Sequence, residues 1–174
     1  MRRHVLWLAA WLLTGCLQLD LPAGEAGRGE TVSGRVVGVA DGDTLTVLDD
    51  TLHEHKVRLA YIDAPEKAQA FGDVAKWRLS ALVYGRAVRA EVIETDRYGR
   101  AVARIWQDDQ DINLVLVREG MAWHYRQFTR GQSDAEFAQY QDAETGARAT
   151  HAGLWQGRRP QAPWDYRHNR RNKG

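Results

Sequence analysis

An alternating apolar run through Val57, Leu59 and Tyr61 to Ile62 stops abruptly at Asp63-Ala64-Pro65-Glu66. Pro65 has no amide hydrogen to give to a sheet ladder, so the strand must end there with its carboxylates on a stiff corner. Arg58 stands within the same strand, where a neutral residue would be ordinary. A cation and carboxylates at the end of a half-buried strand suit a site that holds a metal and a phosphate. Just upstream, Asp41-Gly42-Asp43-Thr44 offers further carboxylates on a tight turn.

The surroundings of this corner read as more strands. Residues 31–40 alternate, with breaks at Gly34 and Gly38; Asp41-Gly42 is a hairpin signal; and residues 44–48 are β-branched. The third strand is expected over residues 56–62, the fourth over 87–93 and the fifth over 101–106. Residues 68–84 carry Phe71, Val74, Ala75, Leu79, Leu82 and Val83 at helical spacing, with Gly85 at the C-terminal cap. Asp111 caps a short helix ended by Gly120. Ser133-Asp134-Ala135-Glu136 forms a capping box that opens a last helix to about residue 150. Five strands and three helices predict a mainly β fold with α, a five-stranded barrel of the OB type. Trp77, Trp106 and Trp155 are expected in the core or in helix packing, and Trp164 is expected to dock on the body.

The length of 174 residues, with 44% hydrophobic and 27% charged residues, suits one ordinary globular domain with tails. Charge is unevenly spread although the total is only +1. Residues 158–174 carry six bases and one acid, a net +5, whereas residues 17–157 hold 16 bases and 22 acids, a net −6. An acidic body does not bind nucleic acid by bulk charge, so any such contact must run through placed arginines. The basic tail is either part of that contact or a solvated end.

At the other terminus, Arg2, Arg3 and His4 precede an apolar run from Val5 to Leu13, too short to span a bilayer. It closes on Leu13-Thr14-Gly15-Cys16, which resembles a bacterial lipoprotein signal. The expected division is therefore a signal over 1–16, a flexible tether over 17–30, a folded domain over 31–157 and a basic tail over 158–174. Lipid on Cys16 would anchor an exported protein to a membrane, at the cell surface or in the periplasm; the alternative is a plain secretory signal. Cys16 is the sole cysteine, so no disulfide can form within one chain. A Gly-rich tether of this length reaches about 20 Å.

Phosphodiester hydrolysis needs a Lewis acid, a positioned water and cations for developing charge. Asp43 and Asp63 offer hard oxygen donors suited to Ca²⁺ or Mg²⁺. Glu66 can take a proton from water. Arg58 and Arg100 can each fork two hydrogen bonds onto a phosphate, and Tyr98 can add its hydroxyl, with Arg97 beside it. His53-Glu54-His55 reads as a solvated loop rather than a metal site.

In motif, order and spacing, three segments resemble the staphylococcal nuclease family: Asp41-Gly42-Asp43-Thr44, Arg58 through Glu66, and Asp96-Arg97-Tyr98-Gly99-Arg100. The likeness runs on through residues 113–122 and Gly153-Leu154-Trp155 to cover about residues 31–157, and residues 160–167 resemble tails of bacterial members. It implies an OB-fold, Ca²⁺-dependent nuclease that cuts DNA and RNA and leaves 3′-phosphates; a monomer is expected. It further implies calcium on the carboxylates of Asp43 and Asp63 and the carbonyl of Ala64, where the founding member has threonine. By the same resemblance Glu66 is the general base and Arg58 and Arg100 bind the phosphate. The loop after Glu66 is shorter than in the founding enzyme. Tyr125 and Phe128 are the candidates for base stacking. The competing function for such a chain is a non-catalytic OB module that binds nucleic acid.

Overall fold

The computed structural model describes residues 29–172. The signal-like segment with Cys16 and nearly all of the tether lie outside them. Strand β1 (Thr31–Val39) turns at Asp41–Asp43 into β2 (Thr44–Leu48), which pairs antiparallel with β3 (Glu54–Leu59). A two-residue strand β4 (Ile62–Asp63) follows, then helix α1 (Gly72–Val83). Strands β5 (Ala87–Thr95) and β6 (Ala101–Gln107) form the next hairpin. β5 returns to β1, and β6 closes the ring by pairing parallel with β3, Arg58 opposite Val102. The expected five-stranded barrel is thus closed, and Val36, Val47, Val57, Leu59, Ala90, Ala103 and Ile105 fill it. Closure leaves the barrel strands no open edge.

Beyond the barrel come β7 (Gln110–Asp111), α2 (Ile112–Arg118), β8 (Trp123–His124), α3 (Asp134–Ala149), a 3-10 turn (Gly153–Gln156) and α4 (Pro163–Arg171). The caps form as read: the Asp111 carboxylate accepts from the Leu114 amide, and Ser133 and Glu136 make a reciprocal capping box. Helix α3 runs unbroken through Gly146. The fourth helix was not expected. Pro163 at its first turn supplies the fixed φ and lacks the amide that would go unpaired.

Three local expectations are corrected. The third strand does not run to residue 62: the Leu59 amide turns to the Asp43 carbonyl and the Ala60 amide to the Ala103 carbonyl, and Tyr61 takes a left-handed φ of 65°. Helix α1 starts at Gly72 rather than near residue 68, and its inner face is Gly72, Ala75, Leu79 and Val83. Val74 and Trp77 point outward, with Trp77 76% exposed, so neither packs in the core. Tight turns fill residues 66–71 instead, the Gln69 amide donating to the Glu66 carbonyl and the Gly72 amide to the Gln69 carbonyl, and only glycine fits at 72, where a side chain would meet the Glu66 carbonyl at 2.1 Å.

Asn113 ties α2 to the barrel end. Fully buried, it donates to the carbonyls of Ala60 and Ala103 at 2.9 and 3.1 Å and accepts from the Ile105 amide. These bonds hold the turn after β3. β4 then pairs with β8, Ile62 opposite His124 and Asp63 opposite Trp123. Asp63 is therefore clamped between the barrel and the C-terminal third of the chain.

Candidate active site

The Asp41–Thr44 turn, the end of β3, β4, the β5–β6 hairpin and α4 together enclose a cleft of about 1010 Å³. Every candidate residue lines it: Asp43, Arg58, Asp63, Ala64, Glu66, Arg97, Tyr98, Arg100, Tyr125 and Phe128. Gly42 is what lets the first turn press in so closely, since a Cβ there would lie 2.7 Å from those of Ala64 and Ala75.

Asp43 and Asp63 share one guanidinium. Arg58 Nη2 lies 3.2 Å from Asp43 Oδ2 and 3.0 Å from Asp63 Oδ1, and its Nη1 donates to the Leu59 carbonyl. The Ala64 amide donates to Asp43 Oδ2 at 2.8 Å, which ties Ala64 to the first carboxylate. Burial pushes the Asp43 carboxyl up to about 7, and repulsion from Asp41 and Asp63 adds to this against the pull of Arg58. Asp63, only 1% exposed, is likewise raised by loss of solvent, which outweighs its arginine partners. Buried anions of this kind call for a cation.

A second cation reaches them from an unforeseen place. Arg167 of α4 forks onto Asp63, Nη2 to Oδ2 at 2.8 Å and Nη1 to Oδ1 at 3.1 Å, and Nη1 also donates to Glu66 Oε1 at 2.9 Å. Loss of solvent opposes its charge, but the bonds to Asp63 and Glu66 win and hold the guanidinium above its ordinary pKa. The Glu66 amide donates to Gln69 Oε1, and Gln69 Nε2 donates to the Gln161 carbonyl. The corner carrying Glu66 is thus fastened to the segment leading into α4. Residues 160–167 showed a signal for this in a proline at a helix start, followed by Trp164 and Tyr166.

Arg100 stands across the cleft from this group. The Asp96 carboxylate closes the turn on the amides of Tyr98 and Arg100 and also takes Arg100 Nε at 2.8 Å. Nη2 lies 2.8 Å from the same carboxylate, so the Nη1 end of the fork is left for a ligand. The structure does not bring Arg100 into contact with Asp43, Asp63 or Glu66. Arg97 donates to the Tyr98 hydroxyl, and both arginines lie over the exposed Tyr98 ring. Tyr125 is engaged already: it stacks on Trp164 with centroids 5.2 Å apart, and burial with the Asp63 charge raises its hydroxyl pKa. Phe128 leans on it and is 58% exposed, so it offers the free aromatic surface. The histidine pair lies elsewhere, with His55 bonded to Asp49 at 2.7 Å.

Among the described residues no group of three or more His, Cys, Asp or Glu side chains is arranged around one metal. Asp43 and Asp63 nevertheless fit a hard divalent cation. They are buried, their donors are oxygen only, and burial raises both until positive charge offsets it.

A family model described as staphylococcal nuclease homologue matches residues 56–157. The chain is 44% identical, over 76% of its length, to a Haemophilus influenzae protein named uncharacterized endonuclease, 71% of which is covered. It is 38% identical to a Shigella flexneri protein named micrococcal nuclease, over 90% of this chain and 89% of that one. A protein of Escherichia coli named ParB is 37% identical, with 99% of both chains covered.

Proposed function

The chain belongs to the staphylococcal nuclease family, and on that premise we propose that it is a Ca²⁺-dependent endonuclease that hydrolyses DNA or RNA and leaves 3′-phosphates. The observation that carries the reading is the meeting of two buried carboxylates, Asp43 and Asp63, with Arg58 and Glu66 in one cleft. Calcium on Asp43, Asp63 and the Ala64 carbonyl would act as Lewis acid on a phosphoryl oxygen. Glu66, aimed by Arg167 and by its capped corner, takes the proton of the attacking water. Arg58 and the open end of the Arg100 fork neutralise charge growing on the phosphoryl oxygens, and the 5′-oxygen leaves. Phe128 supplies a face for a base, with Tyr98 and Arg97 at the rim.

We propose that it acts as a monomer. Export fits the ion as well, because calcium outside the cytosol can fill a weak site. We propose that lipid on Cys16 and the tether hold the domain at a membrane surface.

The test is a DNA and RNA zymogram with calcium or EGTA, followed by end analysis of the products. Calcium-dependent clearing with 3′-phosphate ends is expected. Oligonucleotide binding without clearing would instead identify a non-catalytic binding module.

A further inference from the structure

We propose that α4 is the second wall of the nucleic-acid cleft, with Arg170 and Arg171 binding backbone phosphates beside the one that Arg58 and Arg100 hold; this rests on the nuclease reading. Arg167, Arg170 and Arg171 stand at i, i+3 and i+4, so they share one helix face, and all three line the cleft.

The helix is fixed rather than frayed. Pro163 is buried, Trp164 stacks on Tyr125 and packs edge-on against Trp123, and the Tyr166 hydroxyl donates to the Ala68 carbonyl at 3.1 Å. This anchorage sets which face looks into the cleft.

The charges along the cleft show what that face is for. Apart from Asp41, whose carboxylate accepts from the Asp43 amide in the turn, its carboxylates are already matched: Arg58 and Arg167 serve Asp43, Asp63 and Glu66, Arg100 serves Asp96, and Arg130 serves Glu94. Arg170 and Arg171 are exposed, and no carboxylate pairs with either among the described residues. They are surplus positive charge on the wall of a cleft in a body of net charge −6. Cations in the last turn also favour a helix C-terminus. That effect accounts for basic residues there, but not for a docking that points them into the cleft. Exposed guanidinia following a groove are the elements that bind a phosphate backbone without reading its sequence.

The test uses the full chain with Glu66→Gln, which slows cleavage, and measures binding of two short single-stranded oligonucleotides of different sequence in calcium across a salt series. Each phosphate contact contributes about 0.7 to the slope of log affinity against log salt on single strands. Adding Arg170→Ala and Arg171→Ala should therefore flatten the slope by about 1.4 for both sequences. Arg170→Lys with Arg171→Lys should restore it. An unchanged slope, a loss confined to one sequence, or failure of lysine to restore the slope overturns the proposal while the nuclease reading stands. Absence of oligonucleotide binding by the Glu66→Gln chain would overturn both.

Discussion

Replacing Arg167 with glutamine removes the charge that α4 brings to Asp63 while leaving a polar side chain of similar reach. Breaking a fully buried ion pair costs about 3–5 kcal/mol, because the remaining charge is stranded. Two features of the site reduce that figure. The Arg167 side chain is 38% exposed, so solvent screens part of its interaction, and Arg58 stays 3.0 Å from Asp63. The expected loss is about 1–2 kcal/mol, which for a domain of this size lowers Tm by about 2–8 °C. The effect should appear in EGTA and shrink in calcium, because the ion supplies the missing positive charge and Arg167 no longer competes with it for Asp63. Thermal melts of both proteins in the two buffers provide the measurement, with near-ultraviolet circular dichroism of the Tyr125–Trp164 stack as a check that α4 remains docked. Equal melting in EGTA, or equal stabilisation of both proteins by calcium, would refute the idea that Arg167 substitutes for a bound cation.

The Glu66→Gln chain should turn over DNA about 10²–10⁴-fold more slowly, with oligonucleotide affinity largely kept; steady-state rates in calcium at wild-type level would remove Glu66 from the mechanism. The Asp43 carboxyl titrates near 7 in the fold against 3.8 in its absence, so the folded state binds the proton more tightly. Its contribution to stability is full below about pH 4 and is lost as pH rises to about 7. In EGTA, Asp43→Asn should flatten that fall, whereas an identical pH profile of Tm would contradict the burial argument. Asn113→Ala orphans the buried Ala60 carbonyl and the Ile105 amide, while the Ala103 carbonyl keeps the Ala60 amide. At about 1–3 kcal/mol for a group left unsatisfied, a total loss of about 2–4 kcal/mol should show in urea unfolding.

The parts of the fold written in local chemistry were legible. Alternation marked the barrel strands, Asp111 and Ser133 marked helix starts, and the three acidic and basic motifs converge on one cleft. The break at Tyr61 was not legible, because the apolar alternation runs straight through it. Asn113 and the pairing of β4 with β8 impose that turn from far along the chain. Trp77 misled for a related reason: α1 buries small residues at Gly72 and Ala75, and the large aromatic falls on the outer face. Arg167 sat in a stretch that reads equally as a solvated basic tail. Only the docked helix shows that its partners are Asp63 and Glu66.

The Arg167 contacts also have a consequence in time. Asp63 and Glu66 wait for a guanidinium that lies 104 and 101 residues further along the chain. At about 5–20 residues per second, synthesis takes roughly 5–20 s to cover that distance. From Gln107, where the last barrel strand ends, to the close of that interval the barrel segments exist without the helix that completes their cleft. Contacts of such long range also form late in folding. The barrel can therefore be assembled well before the cleft is, and completion of the cleft reports that the whole domain has arrived.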